Sequence, residues 1–495
     1  MKRITIALLL ILPAYLSFAQ IRSLDKRKHS VNKVIKQVES SPVFKTAGFA
    51  FLAVDLNSGQ TIAQHNSYMA LKPASTQKLF STATMLELAG PDYRFETKIK
   101  YRGKIDQNEK LLRGDIIIEG GGDPTLGSKY FDETKTHAFL NDWLNAIKSA
   151  GIDSITGGII ADARIYSNEV PPGWSWSDMG NYYGAGACGL TIFDNYYSLY
   201  FNTGNPGDTA IISKVSPAIP GLQFDNTVTA ATISYDNSYI FGAPQCYSRY
   251  IRGQLPAQKI NFEVKGSLPD PALMAACQLD SILKKHDVGI GQSPTTMKLN
   301  PEKANANNTA NKILYITYSP TLFEIIQETN VHSINLFAEH CLIQAGLDLG
   351  AEPETGSAAD SLVSYWDVKG IDTRGMQLFD GSGLSHYNAI SPRQIVSLLS
   401  YMKNESEYFE AYYQSMAVAG ESGTLKNILK GTVAQGKLRA KSGTVNKVKA
   451  YAGYVTSASG REIAFSMVVN NFSGSSADAR KNLEQLMVAL AEFKK

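Results

Sequence analysis

Strand-forming and helix-forming segments lie at both ends of this sequence, separated by a long stretch punctuated by glycine, proline and asparagine. Phe49-Ala50-Phe51-Leu52-Ala53-Val54 is an unbroken apolar run, the pattern of a strand covered on both faces. Asn57-Ser58-Gly59 is a turn, and Thr61-Ile62-Ala63 begins a return strand. Pro73-Ala74-Ser75 then opens a helix through Leu88, stopped by Gly90-Pro91. At the other end, Val448 to Val455 and Ile463 to Val469 flank a turn at Ser459-Gly460. Residues 477–493 form an amphipathic helix, with Leu483, Leu486, Met487, Leu490 and Phe493 at helical spacing. Sheet material at both ends implies one domain closed by distant segments and split by an insertion.

The middle differs in texture. Asp115-Ile116-Ile117-Ile118, Gly158-Ile159-Ile160 and Asn261-Phe262-Glu263-Val264 read as short strands between turns, and Pro271 to Lys285 as a helix. Lys303 to Asn311 is a polar exposed loop or linker. The expected organisation is a discontinuous domain of residues 20–92 plus 312–495, with a β-rich insertion at 93–311. The 495 residues accommodate this, against about 100–200 per domain. No internal repeat is present.

Composition excludes several classes. With 44% hydrophobic and 19% charged residues the chain is not mainly disordered. Its net charge is +3, and two of the positive residues, Lys2 and Arg3, sit at the extreme N-terminus, so no field exists to collect nucleic acid. Lys2-Arg3, the apolar run Ile4 to Leu16 and the small residues Ser17 and Ala19 read as a secretory signal over 1–19, with Gln20 beginning the mature chain. No other stretch approaches the length of a membrane span, so an exported protein without a stable span is expected. Cys188, Cys246, Cys277 and Cys341 form no C-x-x-C pair, and an oxidising compartment would leave three pairings open. Cys341, inside the apolar run Phe337 to Ile343, reads as a buried free thiol. The seven His residues show no ligand spacing, so neither metal nor cofactor is expected.

Three short motifs carry the chemistry. Ser75-Thr76-Gln77-Lys78 is an S-x-x-K, in which positions i and i+3 share a helix face and an unprotonated lysine can take the serine proton. The pattern recurs at Ser23, Ser30, Ser281 and Ser400. Only Ser75 opens a helix straight after a hairpin, where free N–H groups favour developing negative charge. Ser333-Ile334-Asn335 is an S-x-N; extended backbone would put its hydroxyl and amide on one side, although helix capping explains the same letters. Lys441-Ser442-Gly443-Thr444 is the only K-[ST]-G, opening a strand where glycine admits a close backbone and lysine and hydroxyls can hold a carboxylate. Its bland alternative is a solvated edge strand.

In the order S-x-x-K, S-x-N, K-[ST]-G, the motifs match the signature of penicillin-binding proteins and class A β-lactamases. The long gap between Ser75 and Ser333 resembles the class C low-molecular-mass penicillin-binding proteins, the D-alanyl-D-alanine carboxypeptidase/endopeptidase family. Leu71-Lys72-Pro73-Ala74-Ser75, Gly121-Gly122-Asp123-Pro124, Tyr183-Gly184-Ala185, Ala338-Glu339, Asp380 to Ser385 and Gly423-Thr424-Leu425 extend the likeness over nearly the whole mature chain. The implied fold is an α/β (α+β) transpeptidase-like domain, an antiparallel sheet flanked by helices, interrupted by the β-rich insertion. Ile334 stands where Asp is frequent, Ser442 where Thr is usual, and His386 where Arg is common.

The resemblance implies Ser75 as nucleophile, Lys78 as base, Ser333 as proton relay and Asn335 as the group holding Lys78 and substrate. It also implies an oxyanion hole of the Ser75 and Thr444 N–H groups, with Lys441, Ser442, Gly443 and Thr444 receiving the substrate carboxylate. A lysine near 10.4 needs lowering, and burial together with Lys441 is expected to supply it. Peptidoglycan stem peptides are the implied substrates, β-lactams the inhibitors, and the periplasm the location. A β-lactamase or esterase on the same fold and a non-catalytic wall-binding protein are the competing readings. Gly381-Ser382-Gly383 lacks the G-x-S-x-G spacing of an α/β-hydrolase.

Overall fold

The computed structural model describes residues 31–305 and 312–494. The expected signal sequence, and the S-x-x-K serines Ser23 and Ser30, lie outside them. After a helix at 31–39, strands β1 (Gly48–Asp55) and β2 (Thr61–His65) form the first hairpin. A single 3-10 turn, Ala74–Gln77, leads into helix α1 (Lys78–Ala89), which ends at Gly90 with a φ of 75°.

The inserted region begins with β3 (Glu96–Asp106) and β4 (Leu111–Gly120), an antiparallel pair. It continues through β5 (Asn237–Phe241), β6 (Ser248–Pro256) and helix α2 (Pro271–Lys285), whose N-cap Asp270 accepts from the Leu273 N–H. Its core, with Ile99, Ile116, Trp143, Leu199, Ile240, Ile251 and Leu279, is separate from those around β1. Strand β7 (Lys312–Tyr318) pairs with β3, so by hydrogen bonding the insertion's sheet extends past the boundary expected at 311/312. The polar stretch from Lys303 also starts inside a short helix, Pro301–Asn305, and its remainder lies outside the described residues.

The chain then re-enters the first domain through helices α3 (Leu322–His332), α4 (Asn335–Asp348) and α5 (Pro392–Asn404). Strands β8 (Ala417–Val418), β9 (Leu438–Val445), β10 (Val448–Thr456) and β11 (Glu462–Asn470) follow, and helix α6 (Ser476–Ala491) ends the fold. The sheet order is β8-β9-β10-β11-β1-β2, antiparallel throughout. β1 pairs with β11 from Gly48 opposite Asn470 to Asp55 opposite Ile463. Its unbroken apolar run follows from this central position. Phe49, Phe51 and Ala53 pack with Leu483, Leu486 and Leu490 of α6, whereas Leu52 faces Leu79, Phe80 and Ala83 of α1. α1 is buried from Lys78 to Leu86, so a polar residue on it must find its partners inside the protein.

All four cysteines are unpaired, with Cys188 and Cys341 buried. Among the described residues no helix is long and apolar enough to cross a membrane.

One ion cluster ties the short helix Pro301–Asn305 to the β3–β4 pair. Asp115 Oδ2 accepts from Arg102 Nη2 at 2.9 Å, its Oδ1 accepts from Lys303 Nζ at 2.9 Å, and the Gly158 N–H completes the set. These partners hold the Asp115 carboxyl below its ordinary range, against the opposing effect of burial. A carboxylate held low stabilises the fold above its unfolded value of about 4 and loses that contribution as pH falls through the native value. Asp115→Ala leaves two cations without their partner and should cost about 3 kcal/mol, read from urea melts at pH 7. The difference from wild type should shrink below about pH 4.

Candidate functional site

The turn that presents Ser75 is strained and tightly enclosed. Ala74, buried and immediately before the serine, has a φ of 46°, a region that alanine rarely adopts. The Thr76 hydroxyl donates to the Pro73 carbonyl at 2.7 Å, closing the turn. Two glycines let neighbouring backbone reach it. A Cβ on Gly443 would stand 2.8 Å from the Pro73 oxygen and 3.1 Å from the Ser75 nitrogen. One on Gly383, whose φ is +82°, would stand 2.0 Å from the Ala74 oxygen. Strand β9 and the 380–383 turn therefore press on the serine from two sides.

Lys78 is fully buried, and its Nζ meets Ser75 Oγ at 3.0 Å, Asn335 Oδ1 at 2.6 Å and the Ser382 carbonyl at 2.8 Å. The Asn335 amide is oriented by Nδ2 donating to the Tyr183 carbonyl at 2.8 Å, so Oδ1 faces the lysine. A neutral amine has two hydrogens and one lone pair. Asn335 Oδ1 and the Ser382 carbonyl can only accept, so they take the two hydrogens and the lone pair falls toward the Ser75 hydroxyl. Burial lowers Lys78 to about 7, against the opposing attraction of Asp380 and Glu339.

Lys441, also fully buried, donates to Ser333 Oγ at 2.8 Å and to the Ser442 carbonyl at 2.8 Å. Its ammonium is pushed well below the usual lysine range, first by burial and then by Lys78. The repulsion expected to lower Lys78 thus falls on Lys441, and burial is what lowers Lys78.

The S-x-N segment is not extended. Ser333 caps the end of α3 in the left-handed region, φ 61°, and Asn335 is the first residue of α4. A reversal between two helices, in place of strand alternation, turns the hydroxyl and the amide toward the two lysines. The lysines that follow Ser281 and Ser400 are engaged elsewhere, Lys284 with Asp280 and Lys403 with Glu462.

Three functional side chains were not assigned from sequence. Glu339 lies one helical turn beyond Asn335, and its carboxylate accepts from the Gly381 and Ser382 N–H groups at 2.8 Å each, fixing the carbonyl that holds Lys78. Burial and Asp380 push it up to about 8. Asp380 accepts from the Gly383 and Ser385 N–H groups, from Asn388 Nδ2 and, across to the insertion, from Trp174 Nε1 at 2.8 Å. Lys449, directly opposite Thr444 on the β9–β10 hairpin, donates from Nζ to Thr444 Oγ1 at 2.8 Å. The i+4 spacing of Glu339 and the hairpin register of Lys449 were the available signals.

These groups open onto a cleft of about 1010 Å³. Ser75, Ser333, Asn335, Thr444 and His386 line one part, while Asp178, Tyr183, Tyr239 and Phe241 of the insertion face them. Lys441 lies behind this wall. Ser442 is half-buried and uses its carbonyl, and Gly443 supplies the close approach. Among the described residues no cluster of His, Cys, Asp or Glu could hold a metal ion.

The sequence model of the D-Ala-D-Ala carboxypeptidase 3 (S13) family matches residues 30–493. A D-alanyl-D-alanine carboxypeptidase of Actinomadura sp. (strain R39) is 27% identical over 93% of this chain and 84% of its own length. The D-alanyl-D-alanine carboxypeptidase DacB of Haemophilus influenzae is 27% identical over 86% of this chain and 85% of its own. The crystal structure of penicillin binding protein 4 (dacB) from Haemophilus influenzae superposes with a TM-score of 0.78 at 23% identity, over 93% of this chain and 99% of that one, which shows a shared fold.

Lys78, lowered to about 7, stands 3.0 Å from Ser75 Oγ. Sulfonylation of Ser75 by phenylmethanesulfonyl fluoride should accelerate as pH rises through about 7, and Lys78→Ala should remove that limb. A midpoint near that of a free lysine would refute it.

Proposed function

The chain belongs to the D-Ala-D-Ala carboxypeptidase 3 (S13) family, a serine-type penicillin-binding peptidase, and on that premise we propose how its residues share the reaction. The substrate is a peptidoglycan stem peptide ending in D-Ala-D-Ala, or the same D-alanine in a cross-link. Ser75 Oγ gives its proton to Lys78 Nζ and bonds to the carbonyl carbon between the two D-alanines. The negative charge on the carbonyl oxygen is received by the Ser75 and Thr444 N–H groups, a contribution of about 3 kcal/mol per donor. As the C–N bond breaks, the proton passes through the Ser333 hydroxyl to the leaving amine. Water then attacks the ester, the Ser75–carbon bond breaks, and the hydroxyl recovers its proton. Penicillin acylates the same oxygen, but its leaving nitrogen stays tethered.

The observation that carries this reading is the Lys78 amine, 3.0 Å from Ser75 Oγ with its other two directions occupied by pure acceptors. Lys441 Nζ donates to Ser333 Oγ at 2.8 Å, so the hydroxyl oxygen has a hydrogen-bond donor beside it as it relays the proton. Lys441, Ser442 and Thr444 would receive the terminal carboxylate. A Thr444 hydroxyl that accepts from the Lys449 ammonium directs its own hydrogen elsewhere, and Thr444 lines the cleft. His386 lines the same cleft and is a substrate contact in this reading. We place the protein in the periplasm, where residues 1–19 would deliver it to the wall.

Fluorescent penicillin should label the wild type stably and leave Ser75→Ala unlabelled; labelling of the variant, or turnover of a chromogenic cephalosporin in place of stable labelling, would refute the assignment. Lys449→Met should lower kcat/KM for an acyl-D-Ala-D-Ala peptide about tenfold, the worth of one charge-assisted bond. A substrate with a terminal carboxamide should respond little. Equal losses on both substrates would show a general structural effect.

A further inference from the structure

Strands that face water on one side ordinarily show polar residues there, and one hairpin of the insertion places a cluster of aromatics among them. β5 and β6 pair with Phe241 opposite Tyr250 and Tyr239 opposite Arg252. Alternation sends Ile240 and Ile251 into the core, both fully buried, and leaves the three aromatics and Arg252 together on the other face, with the exposed Asn237, Ser248 and Gln254 at its ends. Tyr239 is 45% and Tyr250 44% exposed. Trp176, itself 48% exposed, lies beside them with its ring 6.4 Å from that of Phe241 and tilted by 34°. On the far edge Asp225, next to Tyr250 through a parallel strand, takes Arg252 Nη2 at 2.9 Å, and the guanidinium sits 5.7 Å from the Tyr250 ring.

The face is held in place by its neighbours. The backbone of the Trp176 turn meets β5 so closely that a Cβ on Gly180 would stand 2.1 Å from the Ile240 oxygen. It is also continuous with the reaction cleft, since Tyr239 and Phe241 line both. Arg252 and Asp225 cancel one another, so nothing here selects a charged partner. A broad aromatic surface with a hydrogen-bonding rim suits a sugar ring. Pyranose C–H groups stack on aromatic faces, and hydroxyl and acetamido groups can bond to the guanidinium and carboxylate. An exposed aromatic cluster of this kind marks a binding surface.

We propose that the Trp176–Tyr250 face binds the amino-sugar strand from which the stem peptide hangs. This rests on the reading of the neighbouring cleft as the stem-peptide site. Seating the strand on the insertion raises the local concentration of its peptides at Ser75 and favours polymeric wall over free peptides.

The test uses the full chain with Trp176→Ala and Tyr250→Ala, neither of which lines the cleft. Wild type should co-sediment with peptide-free glycan strands, and each variant should bind them about tenfold more weakly, as loss of an aromatic anchor does. Digestion of intact sacculi should slow in parallel, with hydrolysis of a small soluble D-Ala-D-Ala peptide and penicillin labelling unchanged. Failure of wild type to bind peptide-free glycan, or variants that bind and digest sacculi like wild type, would overturn the proposal. Binding that requires attached peptides would overturn it too. Wild type that leaves the small peptide uncut would instead strike at the cleft assignment, and glycan co-sedimentation is read independently of that outcome.

Discussion

A lysine side chain with no access to water is the constraint around which this protein is arranged. Lys78 sits on a helix buried along most of its length, and its amine needs three polar neighbours in defined directions. One is the Ser75 hydroxyl three residues earlier. The second is an amide from the start of α4. The third is a backbone carbonyl from a turn that two buried carboxylates hold by its N–H groups. Removing water makes the amine a base near neutrality, and the carboxylates limit how far that lowering goes. The second buried lysine places a hydrogen-bond donor beside Ser333 and not beside Ser75.

The insertion takes part in this arrangement. Trp174 donates to Asp380, the Ser385 hydroxyl donates to the Pro172 carbonyl, and Asn335 is oriented by Tyr183. The middle of the chain therefore supplies contacts to the turn and the amide on which Lys78 depends, besides forming one wall of the cleft. A shift of the insertion against the catalytic part would reach the base through these bonds.

Local features were legible in the sequence, and features made by distant contacts were not. The apolar run of β1, the helical spacing of Leu483, Leu486, Met487 and Leu490, and the S-x-x-K at a helix start each have a short-range physical cause, and the structure contains each of them. The S-x-N segment was read as extended because nothing in Ser333 announces a left-handed conformation; the meeting of α3 and α4 imposes it. Lys78 was expected to owe its low basicity partly to Lys441, an effect whose direction depends on how deeply each group is buried. Glu339 and Asp380 act through a turn far from α4 in sequence, so their letters carried no role until the turn was located. The aromatic face of β5 and β6 depends on a pairing register that single-strand patterns do not reveal.

The pairing of β1 with β11 also bears on how the molecule comes into being. Gly48 meets Asn470, so an interior pair of this sheet joins segments from opposite ends of the polypeptide. Such contacts are slow to form, because the loop between them must be closed before they are rewarded. The insertion, with its own core, can collapse while the remainder is still emerging and shorten that loop. Until β11 arrives, β1 lacks a partner along one edge and is open to pairing with other chains. An insertion that collapses first shortens the interval in which that edge is exposed, besides forming a wall of the cleft.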